Sequence, residues 1–230
     1  MTSTSAAGSL RPSAPPATDW PTATAPAIRA VPTAAAEPLP GARKVLGALL
    51  YAFGRRGASL ALLSLTRGEA SALNSTCEPL ESVRPWELQV AAGLLGISSV
   101  RVSDYPDGGL RLEPLSALIE RVRQVIREHA PDLLLVVDPA ASGDPDDARV
   151  AQAVCLAAEL AGVPVAARTS PVARGARLIE LGADATIGRA IQLSAVAAHA
   201  SQSADLPRLR RRLDLLSGRE RLRWLLAPAA

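Results

Sequence analysis

The chain of 230 residues is 48% hydrophobic but only 3% aromatic, so it can bury one core, which Leu, Val and Ala must build. Its net charge is +3 and its positive charge is almost all arginine, as expected from a GC-rich bacterial genome, and this balance does not require a nucleic-acid partner. Two cysteines, Cys77 and Cys155, are too few for a disulfide scaffold and fit a reducing cytoplasm.

The N-terminal stretch, residues 1–38, is rich in Ala, Pro, Ser and Thr. It has no charged region leading into an apolar run, so it is not a signal peptide. It buries too little apolar surface to offset its chain entropy, which predicts a disordered tail. Residues 39–227 are predicted to form a single domain. No run is apolar enough to span a bilayer, and we expect a cytoplasmic protein without membrane contact.

The rest of the chain alternates between helical and strand-like patterns. The predicted helices cover residues 45–53, 82–95, 115–129, 146–161 and 206–226. The predicted strands cover residues 58–65, 99–102, 133–137 and 163–167, and 183–187 is a further candidate. This alternation predicts an α/β, Rossmann-like fold with an open, mostly parallel sheet and helices on both faces. The arginine-rich last helix is either a solvated face or a basic interaction surface.

The stretch from Asp138 to Val150 directly follows the most apolar of these strands. Loops at the carboxyl edge of an open parallel sheet usually form the ligand site. The polar stretches at residues 66–71 and 104–110 follow two other strands and reach the same edge. The alternative interpretation is an ordinary helix start, because Asp146 and Asp147 open the following helix and favour its dipole.

Several short motifs follow one another along the chain in an order and spacing that chance does not readily produce. They are LTRGEAS at 65–71, Arg84 and Glu87 ahead of Leu95-Gly96, DYPDGGL at 104–110, Pro131-Asp132, SGDPDD at 142–147, HASQ at 199–202, RRRL at 210–213 and LRWLL at 222–226. Together they resemble the LmbE-like (PIG-L) de-N-acetylase family over roughly residues 40–226. The resemblance implies a Rossmann-like fold and zinc-dependent removal of an N-acyl group from amino sugars and their conjugates.

In that family, a first motif, His-Pro-Asp-Asp-Glu, supplies two zinc ligands and a carboxylate base. A second motif, Gly-His-Pro-Asp-His, supplies a further zinc ligand and a histidine that supports charge in the transition state. Here Pro40 stands in place of the first ligand, Ala42 in place of the base and Arg43 in place of the Asp ligand. Asp144 and Asp147 replace both histidines of the second motif. Pro and Ala cannot bind zinc and arginine repels it, so we expect no zinc cofactor.

The two remaining histidines offer no substitute ligands. His129 lies on a predicted helix on the wrong side of a strand, and His199 lies in a motif that looks structural. We hypothesise that Arg43 or Lys44 pairs with Asp144 and Asp147 in place of the metal charge, the alternative being simple drift of a relaxed site. The short apolar run before Pro40 also predicts a first strand that is weak, shortened or lost.

The resemblance places Arg67, Asp107 and Asp146 in the substrate pocket. An arginine presents a fork of donors to hydroxyls or to an anionic group, although Arg67 could instead tie two loops together. The implied ligand is an amino sugar or glycoconjugate. A protein partner or a homo-oligomer is compatible with the sequence.

Three functions follow. The first, which we favour, is a pseudoenzyme that keeps the fold and an amino-sugar-type pocket. The second is an active metal-dependent de-N-acetylase that uses Asp144, Asp146 and Asp147 to bind an oxygen-preferring metal, against which Arg43 and Lys44 argue. The third is metal-free acid/base catalysis by Asp144 or Asp147, whose mark would be a raised carboxylate pKa in a closed pocket.

Overall fold

The computed structural model describes residues 30–34, 46–71, 74–169, 173–216 and 218–228. The strands of this part of the chain are β1 Ala30–Ala34, β2 Ala61–Thr66, β3 Ser99–Tyr105, β4 Leu133–Val137, β5 Val165–Arg168, β6 Arg177–Glu180 and β7 Arg219–Leu226. They form one sheet in the order β3-β2-β1-β4-β5-β7-β6. Strands β1 to β5 run parallel, whereas β7 runs antiparallel to both β5 and β6.

The helices lie on both faces of this sheet. They are α1 Gly47–Arg55, α2 Leu80–Leu94, α3 Leu115–His129, α4 Pro139–Ser142, α5 Pro145–Ala161, α6 Ala185–Ala197 and α7 Leu206–Leu215, with 3-10 turns at Leu110–Leu112, Gly182–Asp184 and Ala200–Asp205. None of the described helices is both long and apolar enough to cross a bilayer. The predicted open, mostly parallel α/β fold is therefore confirmed.

Strand β4 shows why the core forms in this way. Its five residues are all buried, as expected for a parallel strand covered on both faces. Leu134 and Val136 belong to the apolar cluster formed with α3 and α5. Leu133 and Leu135 belong to the opposite cluster, which contains residues of α1. Alternate side chains of one strand thus anchor the helices of both layers.

The first strand is present, although the sequence predicted it to be weak or lost. β1 pairs with β2 through Thr33 and Leu63 and with β4 through Ala30 and Leu133, so it lies inside the sheet and not at an open edge. A strand flanked on both sides takes its backbone hydrogen bonds from its neighbours, and its own propensity then matters little. β1 lies within residues 1–38, the stretch that the sequence analysis assigned to the N-terminal tail.

The C-terminal part of the chain corrects two further predictions. The helix predicted over 206–226 ends at Leu215, and β7 begins after Gly218, whose φ is +73°. Residues 183–187 form a 3-10 turn and the start of α6 instead of a strand. The overlooked signal in β7 is period-two alternation: Glu220 and Leu222 are buried, and the arginines on either side of them, at positions 219, 221 and 223, are more exposed.

A buried carboxylate links the ends of β4 and β5 to the middle of β7. Asp138, which follows β4, is fully buried and accepts bonds from Arg223 Nε at 2.6 Å and from Arg223 Nη2 at 2.7 Å. The Thr169 hydroxyl and the Ala140 N–H also donate to it. Burial alone would raise the pKa of Asp138, but the bonds from Arg223, Thr169 and Ala140 outweigh burial and hold the pKa below its usual value.

Replacing Asp138→Asn should lower the free energy of unfolding by about 3 kcal/mol near neutral pH, because it breaks a buried, bidentate ion pair. The pKa of Asp138 is lowered in the folded protein, so the unfolded chain takes up this proton first as the pH falls. The wild-type protein should therefore lose stability below about pH 5, and D138N should lose less. Urea unfolding across the acidic range measures both effects.

The control is Asp104→Asn, at an exposed position of β3, which should change stability by less than about 0.5 kcal/mol. Equal pH slopes for the wild type and D138N would show that Asp138 is not the residue that carries this acid sensitivity.

Candidate functional site

The loops that follow β2, β3 and β4 lie at one edge of the sheet, because these strands are parallel. The loop after β2 starts at Arg67, the loop after β3 starts at Pro106, and the segment after β4 runs from Asp138 into α5. The residues singled out from the sequence at positions 67, 107, 144, 146 and 147 all lie in these segments. The structure thus brings them to a common edge, as expected for a ligand site in an open α/β sheet.

Asp107 braces the first loop against the second. Its Oδ1 accepts a bond from the Thr66 hydroxyl at 3.1 Å, and its Oδ2 accepts one from the Ala70 N–H at 3.0 Å. Its own N–H donates to Glu69 Oε1 at 2.9 Å. This reciprocal arrangement fixes the relative position of the two loops.

Asp146 braces the second loop against α5. It is buried, and its two carboxylate oxygens accept bonds from the Gly108 N–H at 2.9 Å and the Leu110 N–H at 3.1 Å. Its own N–H donates to Asp144 Oδ1 at 2.8 Å, which makes Asp144 the N-cap of α5. Asp147 is also buried in the first turn of this helix. The helix-start interpretation therefore describes Asp144, while the Asp146 side chain holds a neighbouring loop.

Arg84 packs against the loop after β2, a placement that the sequence analysis did not predict. A Cβ added at Gly68 would lie 2.8 Å from Arg84 Cζ, 2.9 Å from Nε and 3.0 Å from Nη2. These nearly equal distances show that the guanidinium plane faces the glycine. Gly68 also has a φ of +76°, so this position requires glycine for two reasons. The sequence signal that could have predicted this contact is the spacing of Arg84 and Glu87, which places both side chains on one face of α2.

Gly68, Glu69 and the Arg84 guanidinium together form what we call the cradle. Two of its polar atoms lack a hydrogen-bond partner. Arg84 Nη1 and Glu69 Oε2 are both buried, and neither makes a hydrogen bond to the part of the chain that the structure describes. Buried polar groups are normally paired, so an unpaired donor and an unpaired acceptor beside a ligand edge are informative. Arg67, in contrast, is exposed on the same loop.

Among the described residues, neither histidine belongs to a group of potential metal ligands. His129 Nε2 lies 3.4 Å from the hydroxyl of Ser99, the first residue of β3, and hence at the opposite edge of the sheet. His199 Nδ1 lies 3.8 Å from Glu87, which accepts bonds from the Ser201 N–H at 2.7 Å and hydroxyl at 2.8 Å. Burial would raise the pKa of Glu87, but these contacts with His199 and Ser201 outweigh it and lower the pKa. His199 thus belongs to the packing of α2.

The donor groups present do not fit zinc. Within the described ranges, no three His, Cys, Asp or Glu side chains are grouped so as to hold a metal ion. Asp144 Oδ1 and both oxygens of Asp146 already accept backbone hydrogen bonds, and zinc sites need several free nitrogen, sulfur or oxygen ligands. Pro40, Ala42 and Arg43 lie outside the described residues, as does Lys44, so their pairing with Asp144 and Asp147 stays a prediction.

Comparisons with known proteins place the chain in a family. A family model described as PIG-L: GlcNAc-PI de-N-acetylase matches residues 44–158, which is half of the 230 residues. Comparison with curated proteins found no significant match. Solved structures with the same fold include a deacetylase, Dbv21, of the antimicrobial A40926 pseudoaglycone. That structure has a TM-score of 0.64 and 18% identity, over 88% of this chain and 98% of the other.

Two more solved structures show how much chemistry this fold supports. The N,N'-diacetylchitobiose deacetylase of Pyrococcus horikoshii has a TM-score of 0.67 and 16% identity, over 88% of this chain and 84% of the other. GalB, a 4-carboxy-2-hydroxymuconate hydratase of Pseudomonas putida, has a TM-score of 0.65 and 16% identity, over 88% of this chain and 98% of the other. At such identities the likeness establishes the fold, and the family model establishes membership. The chain belongs to the PIG-L, GlcNAc-PI de-N-acetylase family and has its LmbE-like deacetylase fold.

Proposed function

We propose that this chain is a catalytically impaired family member that binds an N-acylated amino-sugar conjugate at the carboxyl edge of its sheet. The strongest support is a contrast between two sides of the site: the ligand-binding side keeps its polar groups, whereas the metal-binding side has lost its ligands. The loops on the ligand side are braced by Asp107 and Asp146, and Glu69 of one loop and Arg84, which packs on it, carry an unpaired acceptor and an unpaired donor. On the metal side, in contrast, Pro40 and Arg43 stand where the family's first motif has its zinc ligands, and Asp144 and Asp147 stand where its second motif has histidines.

The cradle matches the polar groups of an acylated amino sugar. Arg84 Nη1 can donate to a carbonyl or hydroxyl oxygen, and Glu69 Oε2 can accept from a hydroxyl or amide N–H. The exposed Arg67 adds a second fork of donors at the rim. In this proposal Asp107 and Asp146 are positioning residues, because their carboxylates hold loop backbones instead of facing a ligand.

Hydrolysis of an amide needs an activated water and a base. Asp144 Oδ1 caps α5, so protonation there would weaken the helix start, and both oxygens of Asp146 accept backbone bonds, so protonation there would loosen the loop after β3. The same engagement argues against a carboxylate-bound metal and against metal-free acid/base catalysis by Asp144. A binding or accessory role therefore requires the fewest changes in the arrangement of these residues.

Protein purified from zinc-supplemented cells should contain well below one zinc ion per chain after exhaustive desalting, as measured by elemental mass spectrometry. The expected reason is that Pro40 and Arg43 stand where the family's first motif has its two zinc ligands. The comparison sample is the double variant Asp144→Asn with Asp147→Asn. Near-stoichiometric zinc that disappears in the double variant would instead support an active, carboxylate-based de-N-acetylase.

Replacing Asp146→Asn should loosen the loop after β3, because one of two backbone N–H groups loses its carboxylate acceptor. An unsatisfied buried donor costs about 1–3 kcal/mol. Hydrogen exchange at Gly108 and Leu110 should accelerate, while exchange in β4 should not change. Asp104→Asn, just before the same loop and exposed, is the matched control. Unchanged exchange at both amides would refute the bracing role of Asp146.

Binding of N,N'-diacetylchitobiose, followed by isothermal titration or by ligand-observed NMR, should weaken about 10-fold or more in Arg84→Ala, because a hydrogen bond to a charged group contributes about 1.5–3 kcal/mol. Arg111→Ala, at an exposed position, should leave the affinity unchanged. Gly68→Ala should also weaken binding, because its Cβ would displace the guanidinium. Equal affinity in the wild type and the Arg84 variant would place the ligand elsewhere.

A further inference from the structure

The motif at residues 199–202, HASQ, lies in the connection between α6 and α7. Ser201 and Gln202 belong to the 3-10 turn Ala200–Asp205, yet they are only 1% and 5% exposed. Connections between helices normally lie on the surface, and buried polar side chains must find hydrogen-bond partners. The partners of these two residues therefore indicate what the motif does in the fold.

The first partner of the motif is α2. Ser201 donates from its N–H to Glu87 Oε1 at 2.7 Å and from its hydroxyl to Glu87 Oε2 at 2.8 Å. Glu87 is 3% exposed, so both of its oxygens are paired away from solvent. Arg84 lies three residues earlier, and residues at this spacing share one side of a helix. The motif thus fixes the side of α2 that carries the Arg84 guanidinium.

The second partner of the motif is the loop that follows β2. The Ser71 hydroxyl donates to Gln202 Oε1 at 2.6 Å, and Nε2 of the same amide donates to the Ser201 carbonyl oxygen at 3.1 Å. The N–H and the hydroxyl of Ser75 donate to two carbonyl oxygens of the motif, at 3.2 Å and 2.9 Å. Ser71 comes two residues after Glu69, so the motif holds the loop beside the carboxylate of the cradle.

The two charged groups of the cradle need a support of this kind. Arg84 and Glu69 come from different elements and have opposite charges, which attract each other strongly away from water. Arg84 Nη1 and Glu69 Oε2 nevertheless make no bond to each other within the described part of the chain. Both atoms therefore stay open to a ligand only while other contacts fix the two backbones that carry them.

We propose that residues 199–202 act as a clasp, which holds α2 and the loop after β2 at the spacing that keeps both charged groups of the cradle open to a ligand. Ser201 and Gln202 are then positioning residues, because they act through Glu87 and Ser71 and do not touch the ligand. The clasp rests on the proposed ligand binding and adds to it the contacts that set the shape of the site. Gln202 and Ser71 are 131 residues apart in the chain, so the clasp forms only in the complete fold.

The test compares two variants of similar shape, Ser71→Thr, which keeps the hydroxyl, and Ser71→Val, which lacks it. Binding of N,N'-diacetylchitobiose to the full chain is measured by isothermal titration. Ser71→Val should weaken the affinity about 5-fold, because Gln202 Oε1 loses its donor. Ser71→Thr should stay within about twofold of the wild type, because the hydrogen bond is kept. Circular dichroism establishes that both variants are folded.

Hydrogen exchange of the ligand-free chain examines the clasp separately from the ligand. In Ser71→Val the Ser75 N–H, which donates to the clasp, should exchange faster than in the wild type. The Ala70 N–H, which donates to Asp107, should not change. The matched control is Ser116→Val, at an exposed position of α3, which should alter neither the affinity nor the exchange.

The outcomes separate the clasp from the proposed function. Equal affinities of the Ser71→Val and Ser71→Thr variants overturn the clasp, because the hydroxyl is then not the contact that matters. Faster exchange at Ser75 with an unchanged affinity also overturns it, because the bridge then does not position the cradle. In both cases a wild type that binds the ligand leaves the proposed function intact. A wild type that does not bind the ligand refutes the proposed function and, with it, the role of the clasp in binding.

Discussion

The candidate site depends on one buried carboxylate, that of Asp146. Its two oxygens accept the N–H groups of Gly108 and Leu110, so they fix the loop after β3 on the first turn of α5. Asp107, at the other side of that loop, then reaches Thr66 and Ala70. Three segments that the parallel sheet brings to one edge are thus joined through two acidic side chains. The loops keep their positions through internal hydrogen bonds, a property that suits a preorganised binding site.

The acidic residues at the start of α5 need not indicate catalysis, because backbone N–H groups already balance the carboxylate charges of Asp144 and Asp146. Hydrogen bonds from backbone N–H groups stabilise a carboxylate as an anion, so a buried Asp with such bonds has a structural role without any metal or catalytic step. Asp138 illustrates the same principle with a cation, because Arg223 and Thr169 hold it at the end of β4. The fold itself does not decide the reaction, since both deacetylases and a hydratase share it. The reaction or ligand is therefore set by the side chains at the carboxyl edge of the sheet.

The sequence predicted the fold class because buried parallel strands such as Leu133–Val137 are unmistakably apolar. The weak apolar pattern of Ala30–Ala34 did not predict a firm strand, because the hydrogen bonds that hold it come from the neighbouring strands. The pattern of Arg219–Leu226 was interpreted as a helix face, although its alternation is that of a strand. At the site, spacing could place Asp107 and Asp146 on one edge. It could not reveal that both hold loops, nor that Arg84 lies on Gly68, because those contacts join residues that are distant in the chain.

Helix α2 carries Arg84, on which the proposed ligand binding depends. Its interior contains Pro85, which costs about 3 kcal/mol in an isolated helix, and the exposed Gly93 weakens it further. The position of the helix must therefore come from tertiary contacts, of which the bonds between Glu87 and Ser201 are the clearest on the inward side. Arg84 directly precedes Pro85, so the cradle is only as rigid as this part of the helix.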